Sequence, residues 1–105
     1  MSDVTIQDNP AENRYEVLVD GELAGFADYR LLVDENRIDF THTEVFEQFG
    51  GQGLAGKLAK GSLDEVRTRG LAVRPYCPFY KGWIQKHPEY VDLVPEDQRE
   101  KFELV

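Results

Sequence analysis

Four glycines fall within the ten residues "EQFGGQGLAG" from Glu47 to Gly56, and from Leu54 onward the chain takes up the helix-like repeat "LAGKLAKGSLDEVRTRG". A helix start leaves backbone N–H groups without intrahelical partners and carries a partial positive charge, so it attracts anions, phosphates above all. Lacking a Cβ, the backbone at Gly50, Gly51 and Gly53 is free to take positive φ and to approach a ligand closely. The pattern fits a phosphate cradle. It fits a plain strand-to-helix turn equally well, because glycine-rich turns are common. No "GKS" or "GKT" closes the loop and no Rossmann-type spacing follows it, which argues against nucleoside triphosphate hydrolysis.

The flanking patterns supply the rest of a fold. "RYEVLVDG" alternates Tyr15, Val17 and Val19 with Glu16, Leu18 and Asp20, then stops at Asp20-Gly21, a hairpin dipeptide. "ELAGFADYRLLVD" is a second β-rich run that pairs antiparallel across that turn. "NRIDFTHTEV" is a third, with Ile38, Phe40, His42 and Glu44 expected on one face and Asp39, Thr41, Thr43 and Val45 on the other. A three-strand meander is therefore predicted. A helix from Leu54 to about Arg69 follows, its apolar side holding Ala55, Leu58, Ala59, Ser62, Leu63 and Val66, and Gly70 stops it. "LAVRPYC" reads as a short fourth strand, reached by a crossover that lays the helix across one sheet face. "PFYKGWIQKH" reads as a second helix with proline in its first turn, and "PEDQREKFELV" as a short or frayed final one. Residues 1–13 are expected to be disordered, and 14–94 to form the core of one domain spanning 1–105.

Composition narrows the class. With 105 residues, 41% hydrophobic and 30% charged, the chain suits a single core that needs no disulfide, and the lone Cys77 has no internal partner. A net charge of −8, from 20 acids against 12 bases, argues against nucleic-acid binding and is compatible with an amine or a basic peptide as partner. It serves solubility as readily. No signal-like start and no apolar run near the roughly 20 residues of a membrane span are present, so a cytoplasmic protein without membrane contact is expected.

The segment "GGQGLAGKL" resembles the acyl-CoA-binding signature Q/R-x-x-G-x-G/A of the GCN5-related N-acetyltransferases. "HTEV" at 42–45, "CPF" at 77–79 and "HPEY" at 87–90 are similar, in that order, to motifs of a minimal subfamily. The resemblance covers about residues 14–94. Aligned on the helix leucines, Gly50 stands where the signature has Gln or Arg, Gly53 takes the glycine and Ala55 the last position; a register from Gln48 to Gly53 also fits. The resemblance implies an α/β (α+β) fold, with a mixed, mostly antiparallel sheet, a glycine-loop helix crossover and short C-terminal helices. It implies a sheet that splays beside the third strand and acetyl-CoA as co-substrate, with no metal. The cofactor would be held by Val45, Gly50, Gly51, Gln52, Gly53, Leu54, Ala55 and Gly56. The acceptor implied is an amine, on a small molecule or on a protein lysine or N-terminus. The helices after the first strand and the extra C-terminal strands of larger members have no counterpart here.

Acetyl transfer needs a neutral amine, an acceptor for its proton and a donor for the developing oxyanion. Glu44 and His42, two apart on one strand, are candidates for the proton; the structural alternative is a hydrogen-bonded histidine and a sheet-end charge. Cys77, at the end of the fourth strand, is a candidate acyl carrier in a two-step route or a small buried residue. Direct transfer is the default. Tyr80 and Trp83 are expected to pack on the sheet, Tyr90 to anchor the "HPEY" segment, and Lys81 to be a surface lysine within reach of a phosphate. A non-catalytic acyl-CoA-binding module or sensor is the alternative function, and a monomer or weak homodimer the expected state.

Overall fold

A computed structural model describes residues 3–104; residues 1, 2 and 105 of the expected domain lie outside the described residues. The elements run β1 (Val4–Asn9), β2 (Arg14–Val19), β3 (Glu22–Leu32), β4 (Arg37–Val45), α1 (Leu54–Thr68), β5 (Ala72–Pro75) and α2 (Pro78–Lys86), followed by short 3-10 turns at Pro88–Leu93 and Glu96–Gln98. One sheet takes the strands in chain order. β1 to β4 are antiparallel, and β5 lies parallel to β4 after the α1 crossover. The mixed, mostly antiparallel sheet anticipated from the sequence is thus the one formed, and the expected final helix is reduced to a single 3-10 turn.

Both helices pack on the face that carries Tyr15, Val17, Ile38 and Phe40, all without solvent exposure. α1 turns Leu54, Leu58, Ala59, Ser62, Leu63 and Val66 inward, as a 3.6-residue period requires; Ala55 is only half-buried and borders the glycine loop. Tyr80 of α2 lies flat on Phe40, with centroids 4.2 Å apart and 12° between planes. Its hydroxyl is 2.8 Å from Ser62 Oγ, so the one polar atom of a buried ring is satisfied by α1. Tyr90 anchors the "HPEY" segment as expected, donating to Asp64 Oδ1 at 2.6 Å.

Among the described residues of the segment 1–13, β1 and the turn after it correct the expectation of disorder. Val4 and Ile6 are half-buried against the core, and β1 pairs with the full length of β2. The reason lies in α1: a Cβ on Gly61 would stand 2.8 Å from Ile6 Cγ1 and 3.1 Å from its Cβ. Glycine at that position lets helix and strand approach closely, and the "VTIQ" alternation gains a partner that its own sequence does not reveal.

The other face of the sheet carries no helix, yet it buries two carboxylates. Glu16 is 5% exposed and accepts hydrogen bonds from Gln7, Asn9 and Arg14; Asp39, fully buried, is gripped by Arg37 and by both ends of the Arg74 fork. Burial pushes the Asp39 carboxyl up, but Arg74 and Arg37 outweigh burial and hold it below its ordinary value. Glu16 is likewise held low: burial opposes, and hydrogen bonds from Asn9, Gln7 and Arg14 prevail.

Gly61→Ala is expected to destabilise the fold by about 2 kcal/mol through overpacking, and by less in an Ile6→Ala background, with urea unfolding of the four proteins of the cycle as the measure. Additive losses would mean that the helix and β1 do not meet at this point. A carboxyl held low stabilises the fold above its unfolded-state pKa of about 3.9 and loses that stabilisation as pH falls through the folded value. Stability should therefore decline below about pH 4, and Asp39→Asn should flatten that decline while lowering stability at pH 7 by about 3 kcal/mol. Equal urea midpoints for Asp39→Asn and wild type at pH 7 would show the ion cluster to be dispensable.

Candidate active site

β4 is where the sheet comes apart. β5 accompanies it only from Arg37 to Phe40, ending at the pair Phe40–Pro75. The β3 register shifts at the same place: Tyr29 faces Phe40 while Asp28 faces His42, leaving Thr41 as the extra residue of a bulge. A bulge bends and twists its strand, so Thr41 to Val45 leave the line of β5. The last backbone tie across the opening is the Cys77 N–H, which donates to Phe40 O at 2.8 Å. Phe46 N–H donates to Ala24 O of β3. Because backbone groups alternate along a strand, the N–H and C=O of Thr43 and Val45 point the other way, into the gap.

The gap leads into a cleft of about 310 Å3 lined by every residue from Val45 to Ala55 except Gln48. Gly51 and Gly53 take φ of +80° and +68°, with nothing within 4 Å of a Cβ at either. Gly50 corrects the sequence expectation: its φ is −63°, so it does not use the left-handed region. Gly50 N–H donates to Glu47 O and Lys57 N–H to Gly53 O. Among the described residues, the six amides between them, Gly51 to Gly56, have no acceptor. They lie at the positive end of a 15-residue helix, an arrangement suited to an anion.

Seven of the eight cofactor candidates, Val45, Gly50, Gly51, Gln52, Gly53, Leu54 and Ala55, meet in this cleft. Gly56 lies one step beyond, facing Trp83 of α2. His42 and Glu44 do share a face, with Nε2 and Oε1 3.6 Å apart and both side chains more than half exposed. It is not the face of Ile38 and Phe40. The bulge at Thr41 shifts the alternation by one, so Thr43 and Val45 turn to the helix side and His42 and Glu44 to the helix-free side, beside Phe26.

Cys77, 3% exposed, lies on the helix side of β4 outside the lining of the cleft, and Thr43 Oγ1 is 3.1 Å from its sulfur. Sequence reasoning missed Thr43, since without the bulge it would point away. It also missed Phe46, Glu47 and Phe49 as cleft lining; their place beside the glycines was the available signal. Burial pushes the Tyr80 phenol up, and Ser62 engages its hydroxyl, so this group stays neutral and occupied. Lys81 reaches no loop atom: its Nζ is 2.7 Å from Glu103 Oε1.

Comparison with known proteins bears on this geometry. A sequence model of the GCN5-related N-acetyl-transferase family matches residues 14–93. Protein NATD1 of Xenopus tropicalis is 32% identical over 56 residues, 53% of this chain and 51% of that protein. Protein NATD1 of Danio rerio is 30% identical over 64 residues, 59% and 58% respectively. The chain thus spans about half the length of the curated relatives it matches. A GCN5-like protein of Staphylococcus aureus, solved by NMR, is 30% identical, with 90% of each chain covered and a TM-score of 0.65. No helix among the described residues is long and apolar enough to cross a membrane. The family match over most of the chain, with a likeness in structure that spans nearly all of it, establishes that this chain belongs to the GCN5-related N-acetyltransferase family.

Proposed function

We propose that the chain binds acetyl-CoA in the cleft from Val45 to Ala55 and transfers the acetyl group to a primary amine, on a small molecule or on a protein lysine or N-terminus. The run of acceptorless amides from Gly51 to Gly56 carries this reading, because it offers a diphosphate several aligned donors at a helix N-terminus. The residues present fit that group: no Cβ intrudes at Gly51 or Gly53. The free edge of Thr43 and Val45 fits an extended arm with amide groups, which would add to β4 as a further strand does.

When bound, acetyl-CoA supplies an activated thioester carbonyl. The remaining work falls to the chain. With α1 and α2 covering one face of the sheet, the amine enters from the other, where Glu44 or His42 takes its proton directly or through a water. Cys77 stands on the helix side of β4, where a two-step route through its sulfur would begin; direct transfer is the simpler course. One observation favours a second reading, an acyl-CoA-binding module without turnover: Cys77 and the His42–Glu44 pair lie on different faces of β4. A cytoplasmic setting, which keeps thiols reduced, suits a free Cys77 under either reading.

Calorimetric titration of acetyl-CoA into the purified protein tests the cofactor. Micromolar binding is expected, weakened about tenfold or more by Gly53→Val while circular dichroism keeps the native spectrum. Absence of binding at millimolar ligand would sink both readings. Turnover with a panel of amines separates them. For the enzyme, Glu44→Gln or His42→Ala should lower the rate about a hundredfold at unchanged acetyl-CoA affinity. An acetyl adduct in the intact mass that vanishes in Cys77→Ser would mark the two-step route, and full activity of Cys77→Ser would leave direct transfer.

A further inference from the structure

Gly56 is a glycine that the packing does not demand. It sits in the first turn of α1 without a positive φ, and a Cβ there would meet its nearest neighbour, Trp83 Nε1, at 3.7 Å, an ordinary contact. Glycine inside a helix is less favourable than alanine, so the bare backbone at this point works against the helix without relieving a clash. Its effect is to leave a notch between the acceptorless amides of the glycine loop and the indole of α2.

Trp83 is held beside that notch by its neighbours on and after α2. His87 stacks on the indole, with centroids 3.9 Å apart and 17° between planes, and His87 Nδ1 lies 2.7 Å from Trp83 O. Tyr90 meets the ring edge-on at 4.9 Å. These contacts fix the plane of the ring, and its Nε1 is the heavy atom nearest to where a Gly56 Cβ would stand. Among the described residues that N–H has no acceptor, and the side chain is half-buried. A rigid, unpaired donor beside six unpaired amides extends the same anion-binding row from one helix to the next.

The geometry points to Trp83 as a phosphate-binding residue: its indole N–H donates, across Gly56, to a phosphate oxygen of the acyl-CoA held at the start of α1. This rests on the acetyl-CoA reading above and adds to it a side-chain donor from α2. Aromatic residues at helical spacing are ordinarily core; here the ring packs while its polar edge stays free.

Trp83 is the chain's one tryptophan, so its fluorescence and its single indole N–H resonance report on this contact without any catalysis. Titration with CoA, and with pantetheine, which lacks the phosphates, gives the test. CoA should shift the indole N–H resonance downfield and pantetheine should not. Trp83→Phe, which keeps a ring against His87 and Tyr90, should weaken CoA binding about tenfold and leave pantetheine binding unchanged. Gly56→Ala should weaken CoA binding by filling the notch while its thermal midpoint stays equal or rises, a division that a structural glycine would not give. CoA binding of wild-type strength in both variants, with an unmoved indole resonance, would overturn the role of Trp83 and leave the acetyl-CoA reading standing. No CoA binding by the wild type would overturn both.

Discussion

The parting of β4 from β5 after Phe40 is the constraint on which the rest of the molecule turns. Up to that point the two strands share a parallel ladder; beyond it the bulge at Thr41 carries β4 away and the Cys77 amide ties the start of α2 back to Phe40. One geometric event thereby produces a free strand edge, a cysteine buried against Thr43 and an opening beside the glycine loop. A continuous ladder from Arg37 to Val45 would close all three. The two-layer packing serves this arrangement: Phe40, the last paired residue, is also the residue on which Tyr80 stacks, so the site's pivot is fixed by the core.

The same event explains why the helices sit where they do. A parallel strand requires a crossover, and α1 supplies it while delivering its N-terminus to the mouth of the gap. α2 then begins at Pro78, directly after the cysteine. Gly25 shows how tightly the opposite side is drawn: a Cβ there would stand 2.5 Å from Glu44 O. The end of β4 therefore rests on bare β3 backbone.

Much of this was legible in the residues. The alternation in β2, the Asp20-Gly21 turn, the 3.6-residue stripe of α1 and its stop at Gly70 are local signals, and local signals survive folding. What failed depended on distant partners. β1 has the alternation Val4, Ile6 but needed the gap at Gly61 to be held. The facing of His42 and Glu44 relative to each other was read correctly, since two residues apart on a strand is a local fact; their facing relative to Phe40 was not, because one extra residue at Thr41 inverts everything after it. Nothing in the side chains of "FTHTE" announces that residue. The glycine loop was legible as either a helix-start cradle or a plain turn from its type and order, while Gly50, free to take positive φ, does not do so and donates its N–H to Glu47 O.

The helix-free side of the sheet has its own consequence. Glu16 and Asp39 lie under Arg14, Arg37 and Arg74, whose side chains are 23%, 16% and 20% exposed. Where larger sheets are roofed by a further layer of helices, this one is roofed by guanidinium groups and their aliphatic stems. These three arginines occupy surface positions in the sequence pattern but act as interior residues. A tolerance map of the protein would place them with Phe40 and Tyr15 rather than with the other charged side chains, and would read the exposed lysines of α1 as the true surface.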